Sequence, residues 1–175
     1  MRLASLSVLV TILATCTAAL AQSPAYGIGK PASEKEIKAW DSGIAPDGKG
    51  LPPGSGTSKQ GAKVYAERCA KCHGATGKEG PFDRMVGGKG TLNTDRPVKT
   101  IGSYWPYATT IWDYINRAMP DDQPGSLSAD QVYALTAFLL HQNEIIQEND
   151  VIDRNSLPKI QMPNRNGFVP DPRPE

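Results

Sequence analysis

Metal-ligating side chains are few in this chain: three cysteines and two histidines in 175 residues. That scarcity argues against a disulfide-stapled scaffold. It also argues against structural zinc: once a leader carrying Cys16 is cleaved, two cysteines and two histidines remain, and His141 would have to act as the fourth ligand with no paired partner nearby. Charge of one sign is missing too. With 19 lysines and arginines against 18 acids, the chain has no general attraction to nucleic acid or to an anionic membrane. Beyond the first twenty or so residues no apolar run is long enough to span a bilayer. Strand-type alternation and internal repeats are absent as well.

The first residues carry the longest apolar run. Met1-Arg2 is a short positive start, Val8 to Leu13 an apolar centre, and Ala19-Leu20-Ala21 a small-x-small site before Gln22. This reads as a secretory signal peptide over residues 1–21. Ser5, Ser7, Thr11, Thr15 and Thr17 interrupt it, which makes a poor membrane span. A lipoprotein signal using Cys16 and an uncleaved anchor are the other readings. Cleavage after Ala21 removes Cys16, and Arg2 but no acid, leaving 18 bases against 18 acids. The mature chain of about 150 residues suits one compact domain with extensions, placed in the periplasm.

Three stretches carry helical signals. The first, 57–72, opens on Thr57 or Ser58 and puts Gly61, Tyr65, Cys69 and Cys72 on one face. The second, 110–118, aligns Ile111, Tyr114, Ile115 and Ala118 and is stopped by Met119-Pro120. The third, 128–143, starts with the capping box Ser128-Ala129-Asp130-Gln131 and repeats Val132, Leu135, Phe138 and Leu139 at helical spacing. Ser33 and Glu36 offer a further capping box over 33–40. Fifteen prolines and 17 glycines consign much of the rest to loops. Residues 41–56 read as an ordered wrap or a linker, and 158–175 as a frayed tail or as an arm laid on the domain or on a partner.

Residues 69–73 read CAKCH. A thioredoxin-like redox pair needs a βαβ context that the chain lacks. A disulfide across so short a loop is strained and leaves His73 unexplained. Haem accounts for all three side chains: the thiols of Cys69 and Cys72 add across the two vinyl groups, and His73 binds iron axially. Opposite His73 the candidates are Met85, Met119, Met162 and His141. A thioether there raises the potential and a second imidazole lowers it. Met119 stands where a helix stops and a turn begins, but an isolated methionine is more often core filler, and spacing does not exclude Met85. Arg96, Lys99, Tyr104 and Trp105 are candidate donors to haem propionates, while Trp112 and Tyr114 read as core aromatics.

At these residues the chain resembles class I cytochrome c. Gly61…Tyr65…CAKCHG matches the family's first helix and haem site, Met119 its loop methionine, and Tyr133 to Leu140 its terminal helix. The resemblance implies an all-α fold of three to five helices around one covalent haem c, with His73 and Met119 as axial ligands. It covers residues 57–145, leaving an N-terminal extension, 22–56, and a Pro-rich C-terminal one, 146–175. AWDSGIAPDGKGLPPGSGT, RPVKTIGSYWPYATTIWDYINRAMP, PGSLSADQVYALTAFLL and SLPKIQMPNRNGF look like a narrower group. These are the monohaem cytochromes associated with periplasmic molybdenum sulfite dehydrogenases and with the sulfane dehydrogenase of thiosulfate oxidation. That likeness implies an electron-transfer chain without a catalytic site of its own. Its partners would be a molybdopterin-containing sulfite or sulfur dehydrogenase subunit and a downstream cytochrome or oxidase. A free periplasmic shuttle, and a haem enzyme or gas sensor with an open sixth position, are the alternatives.

Overall fold

A computed structural model describes residues 28–173. The expected signal segment, with Cys16, lies outside the described residues. The chain divides into two units, Met1–Asp41 and Ser42–Glu175.

Among the described residues of the first unit there is one helix, α1 (Glu34–Trp40). Its capping box is the expected one: the Glu36 N–H donates to the Ser33 hydroxyl, and the Ser33 N–H donates to the Glu36 carboxylate at 2.8 Å. Those bonds hold the Glu36 carboxyl below its ordinary range. Seven residues are too few for a helix to persist on propensity alone, and α1 buries none of its side chains. Ile28 and Trp40 stand 91% and 88% exposed, and Ile37 is more than half exposed.

The second unit holds four helices among the described residues: α2 (Ser58–Arg68), α3 (Ala70–His73), α4 (Ala108–Ala118) and α5 (Ala129–Gln142). Strands β1 (Ser55–Thr57) and β2 (Val151–Asp153) pair antiparallel, Gly56 opposite Ile152. At three residues each, they are too short for alternation to show in the sequence. A 3-10 turn, Leu157–Lys159, follows.

Helix α5 is the spine. Ser128 and Gln131 form its capping box, and every residue from Val132 to Leu140 is buried. A helix apolar on all faces belongs in the middle of a core. Helix α2 and strand β1 each meet it at a glycine. A Cβ on Gly61 would lie 1.9 Å from the Ala134 carbonyl oxygen, and one on Gly56 2.3 Å from the Ala134 nitrogen. Tyr65 packs its ring on Phe138 at 4.8 Å between centroids.

The glycine-rich stretch before β1 is ordered. Leu51 is buried, Ile44 donates its N–H to Asp113 on α4 at 3.1 Å, and Tyr133 donates its hydroxyl to the Pro52 carbonyl at 2.9 Å. After α5 the chain returns to the same core, which takes in Ile152, Leu157 and Met162. No helix among the described residues is long and apolar enough to cross a membrane.

Candidate functional site

The first helix does not run unbroken to residue 72 as the spacing predicts. Cys69 leaves helical geometry (φ −121°) and serves both neighbours. Its N–H donates to Tyr65 O at 2.9 Å, closing α2, while its carbonyl accepts from Cys72 and His73 N–H at 3.1 and 3.0 Å, opening α3. The break re-aims the turn that carries the motif. It ends at Gly74 (φ +78°), where a Cβ would strike the Glu79 carbonyl. Tyr65 secures the same turn from below by donating its hydroxyl to the Gly74 carbonyl at 2.9 Å. Burial pushes the Tyr65 phenol up to about 12, with Cys69 and Glu79 adding to it.

Cys69, Cys72 and His73 line a cleft of about 790 Å³, and Met119 and Met85 line it too. That is within the size range of cofactor sites. Its apolar wall comes from Ile101, Ile111, Ile115, Leu127, Leu135 and Leu139. His141 and Met162 are not on that wall. His141 sits beside the Ile146 carbonyl at 3.4 Å, and Met162 is buried in the core. Of the expected propionate donors, Lys99 and Trp105 reach the cleft while Arg96 and Tyr104 do not. The Lys99 ammonium also lies 5.1 Å from the Tyr104 ring centre, a cation–π contact. Trp112 is core as expected. Tyr114 is not: it lines the cleft 47% exposed, edge-on to Trp105.

The donor set suits a flat, largely apolar macrocycle bound through sulfur and nitrogen. His73 Nδ1 lies 3.0 Å from the Asp83 carbonyl oxygen. A carbonyl only accepts, so Nδ1 carries the proton and Nε2 keeps a free lone pair for a metal. Cys69 and Cys72 are free thiols. Burial pushes the Cys69 thiol up to about 11, Arg68 opposes this, and Cys72 adds to it. The two sulfurs and the imidazole stand on one short turn beside the cleft, the donor set that thioether attachment and ligation of a haem iron use. These residues fit haem c.

Met119 is the C-cap of α4. It is extended (φ −122°, ψ 147°), as a residue before proline prefers, and its N–H donates to Ile115 O. The loop beyond is tied to α2: Arg68 donates to Gln123 Oε1 and Ser126 Oγ, both at 2.9 Å. Nothing in the sequence signals that bridge, because its partners lie more than fifty residues apart. Phe82, on the cleft wall 6.3 Å from the His73 ring centre, carried no signal either.

Three comparisons bear on the chain. Residues 56–139 match the family model described as cytochrome c oxidase, cbb3-type, subunit III. A thiosulfate dehydrogenase from Psychrobacter arcticus is 28% identical over 118 residues, 61% of this chain and 34% of that protein. The chain thus spans about a third of that curated relative's length. Among solved structures, the sulfane dehydrogenase SoxCD from Paracoccus pantotrophus is 43% identical. That match covers 85% of this chain and 74% of the other, with a TM-score of 0.76. With a motif-bearing turn, an apolar cleft and a likeness of this extent, the chain belongs to the cytochrome c family, whose prosthetic group is haem c.

Proposed function

We propose that this chain is a periplasmic monohaem cytochrome c that passes single electrons from a molybdopterin-containing dehydrogenase of sulfite or a related sulfur compound to a downstream cytochrome or oxidase. The observation that carries the reading is the convergence of Cys69, Cys72, His73 and Met119 on one apolar cleft. The 43% identity to a sulfane dehydrogenase supports the sulfur chemistry.

In this reading Cys69 and Cys72 would anchor the haem as thioethers, and His73 Nε2 and the Met119 sulfur would hold its iron. Haem held this way supplies an iron that alternates between ferric and ferrous. The protein's share is to keep that change cheap. The Asp83 carbonyl fixes the His73 ring and its tautomer, and the isoleucine and leucine wall excludes water. Held by both His73 and Met119, the iron would exchange electrons rather than bind substrate, and this reading assigns oxidation of the sulfur compound to a partner. Tyr114 and Phe82, both on the cleft wall and exposed, lie where an approaching redox partner would meet the group.

A subunit fits better than a freely diffusing shuttle. Helix α1 carries Ile37 and Trp40 and buries none of its side chains, and tryptophan is enriched among the anchors of protein interfaces. The match to the sulfane dehydrogenase also covers more of the chain than residues 42–175 make up.

The test is purification from the native periplasm with haem and molybdenum assayed together, followed by addition of sulfite. Co-eluting molybdenum and reduction of the haem spectrum are the expected results. A haem protein that elutes alone, unreduced by sulfite when the periplasmic extract is restored, sinks the dehydrogenase-subunit reading and leaves a general carrier.

A further inference from the structure

Asn143 ends α5 and is buried with its amide engaged on both sides. Nδ2 donates to the Leu139 carbonyl at 2.8 Å and to the Met85 carbonyl at 3.2 Å, and Oδ1 accepts from the Gly87 N–H at 2.9 Å. The partners dictate which end is oxygen, since an N–H only donates and carbonyls only accept. Gly102 is pressed against the amide: a Cβ there would lie 2.1 Å from Oδ1.

The clasped segment is held from other directions too. The Met85 and Val86 N–H groups donate to the Gly77 carbonyl at 2.8 and 3.1 Å, and the Thr100 hydroxyl donates to the Gly87 carbonyl. Two residues before Met85 is Asp83, whose carbonyl accepts from His73 Nδ1. One buried amide at the far end of α5 therefore grips the loop that supplies the histidine's outer partner.

We propose that Asn143 is a positioning residue for His73. By clasping Met85 and Gly87 it keeps the Asp83 carbonyl in line with Nδ1, and through that bond it sets how strongly Nε2 donates to iron. This rests on the reading of His73 as an axial ligand. An acceptor on Nδ1–H makes the imidazole a stronger donor, which favours ferric iron and lowers the potential. The hydrogen bond weakens steeply with misalignment. An apolar side chain at 143 strands a buried N–H and a buried carbonyl, each costly to leave unpaired. The loop must then shift to pair them, and the Asp83 carbonyl shifts with it.

The experiment uses the haem-loaded full chain with Asn143→Leu and Asn143→Asp. The second keeps the side-chain shape and the acceptor for Gly87 but loses both donors. Leu157→Ala, a core truncation outside the clasp, controls for lost stability. Two quantities are read: exchange of the His73 Nδ1 proton by NMR in the reduced protein, and the reduction potential. Both Asn143 variants are expected to exchange that proton about tenfold faster or more. Their potential should rise by up to about 59 mV, a tenfold shift for one electron. Leu157→Ala should change neither. Unchanged exchange and potential in both Asn143 variants would overturn this inference and leave Asn143 a purely structural residue. His73 ring resonances without the hyperfine shift of an iron ligand in the oxidised parent would overturn the site reading, and this inference with it.

Discussion

Gly61 on α2 faces the Ala134 carbonyl on α5 so closely that an added Cβ would lie 1.9 Å from the oxygen. Backbone stands against backbone at this crossing, so no side chain can swing aside to make room. The cleft depends on it, because α2 leads into the turn with Cys69, Cys72 and His73 while α5 supplies Leu135 and Leu139 to the wall. Gly61→Ala improves helix propensity by about 1 kcal/mol and still destabilises the protein, by about 3 kcal/mol or more, because the overlap must be relieved by moving a helix. Thermal unfolding of the haem-loaded protein measures it. A variant as stable as the parent would show that the helices part without cost.

What the sequence made legible was local. Ser128 with Gln131 and Ser33 with Glu36 place each cap and its partner within one turn, so those helix starts could be read directly. Met119 before Pro120 likewise announced the end of α4. The parts that escaped depend on partners distant in the chain. The pairing of Gly56 with Ile152, the bridge from Arg68 to Gln123 and the clasp of Asn143 on Met85 and Gly87 all join segments tens of residues apart. The break at Cys69 escaped for another reason: the residues around it are all compatible with a continuous helix, and a single φ value makes the difference. The cleft was legible as chemistry in CAKCH but not as a shape, since its wall is drawn from α4, α5 and loops distant from the motif in the chain.

Met119 and Met85 both line the cleft, whereas Met162 lies in the core. Met119→Ala is expected to lower the reduction potential and let carbon monoxide bind the reduced protein, because a thioether that favours ferrous iron is gone. Met162→Ala should cost about 2–5 kcal/mol of stability, as a buried methionine truncation does, and leave carbon monoxide binding as in the parent. Met85 also lines the cleft and is the third variant to make. If Met85→Ala opened the iron and Met119→Ala did not, the axial ligand would be Met85.

Arg68 ties the loop after Met119 to the end of α2, through Gln123 and Ser126. The guanidinium is exposed, so the pair of bonds contributes about 1 kcal/mol to loop closure. Arg68→Ala should therefore raise the rate at which imidazole displaces the Met119 sulfur in the ferric protein by roughly fivefold. Unfolding temperature should hardly change. Equal displacement rates in the variant and the parent would mean that Pro120 and the turn behind it hold the loop unaided.

Alkali should loosen the turn beneath His73 through Tyr65. Burial is the main reason its phenol is raised from 10 to about 12. The added push from Cys69 vanishes once that sulfur is a thioether, but burial remains. A folded value above the unfolded one means that the unfolded chain releases its proton first. The stabilisation from Tyr65 is therefore complete below pH 10 and is lost as pH rises from 10 towards 12. Ionisation also removes the donor to the Gly74 carbonyl. Tyr133, raised to about 12 chiefly by burial, adds a loss in the same window. Urea unfolding of the parent should show stability falling between pH 10 and 12, and Tyr65→Phe should fall less steeply there. Tyr65→Phe should also start from a lower stability at neutral pH, by about 1 kcal/mol for the missing hydrogen bond. Identical slopes in the two proteins would assign the alkaline loss to Tyr133 and to other groups.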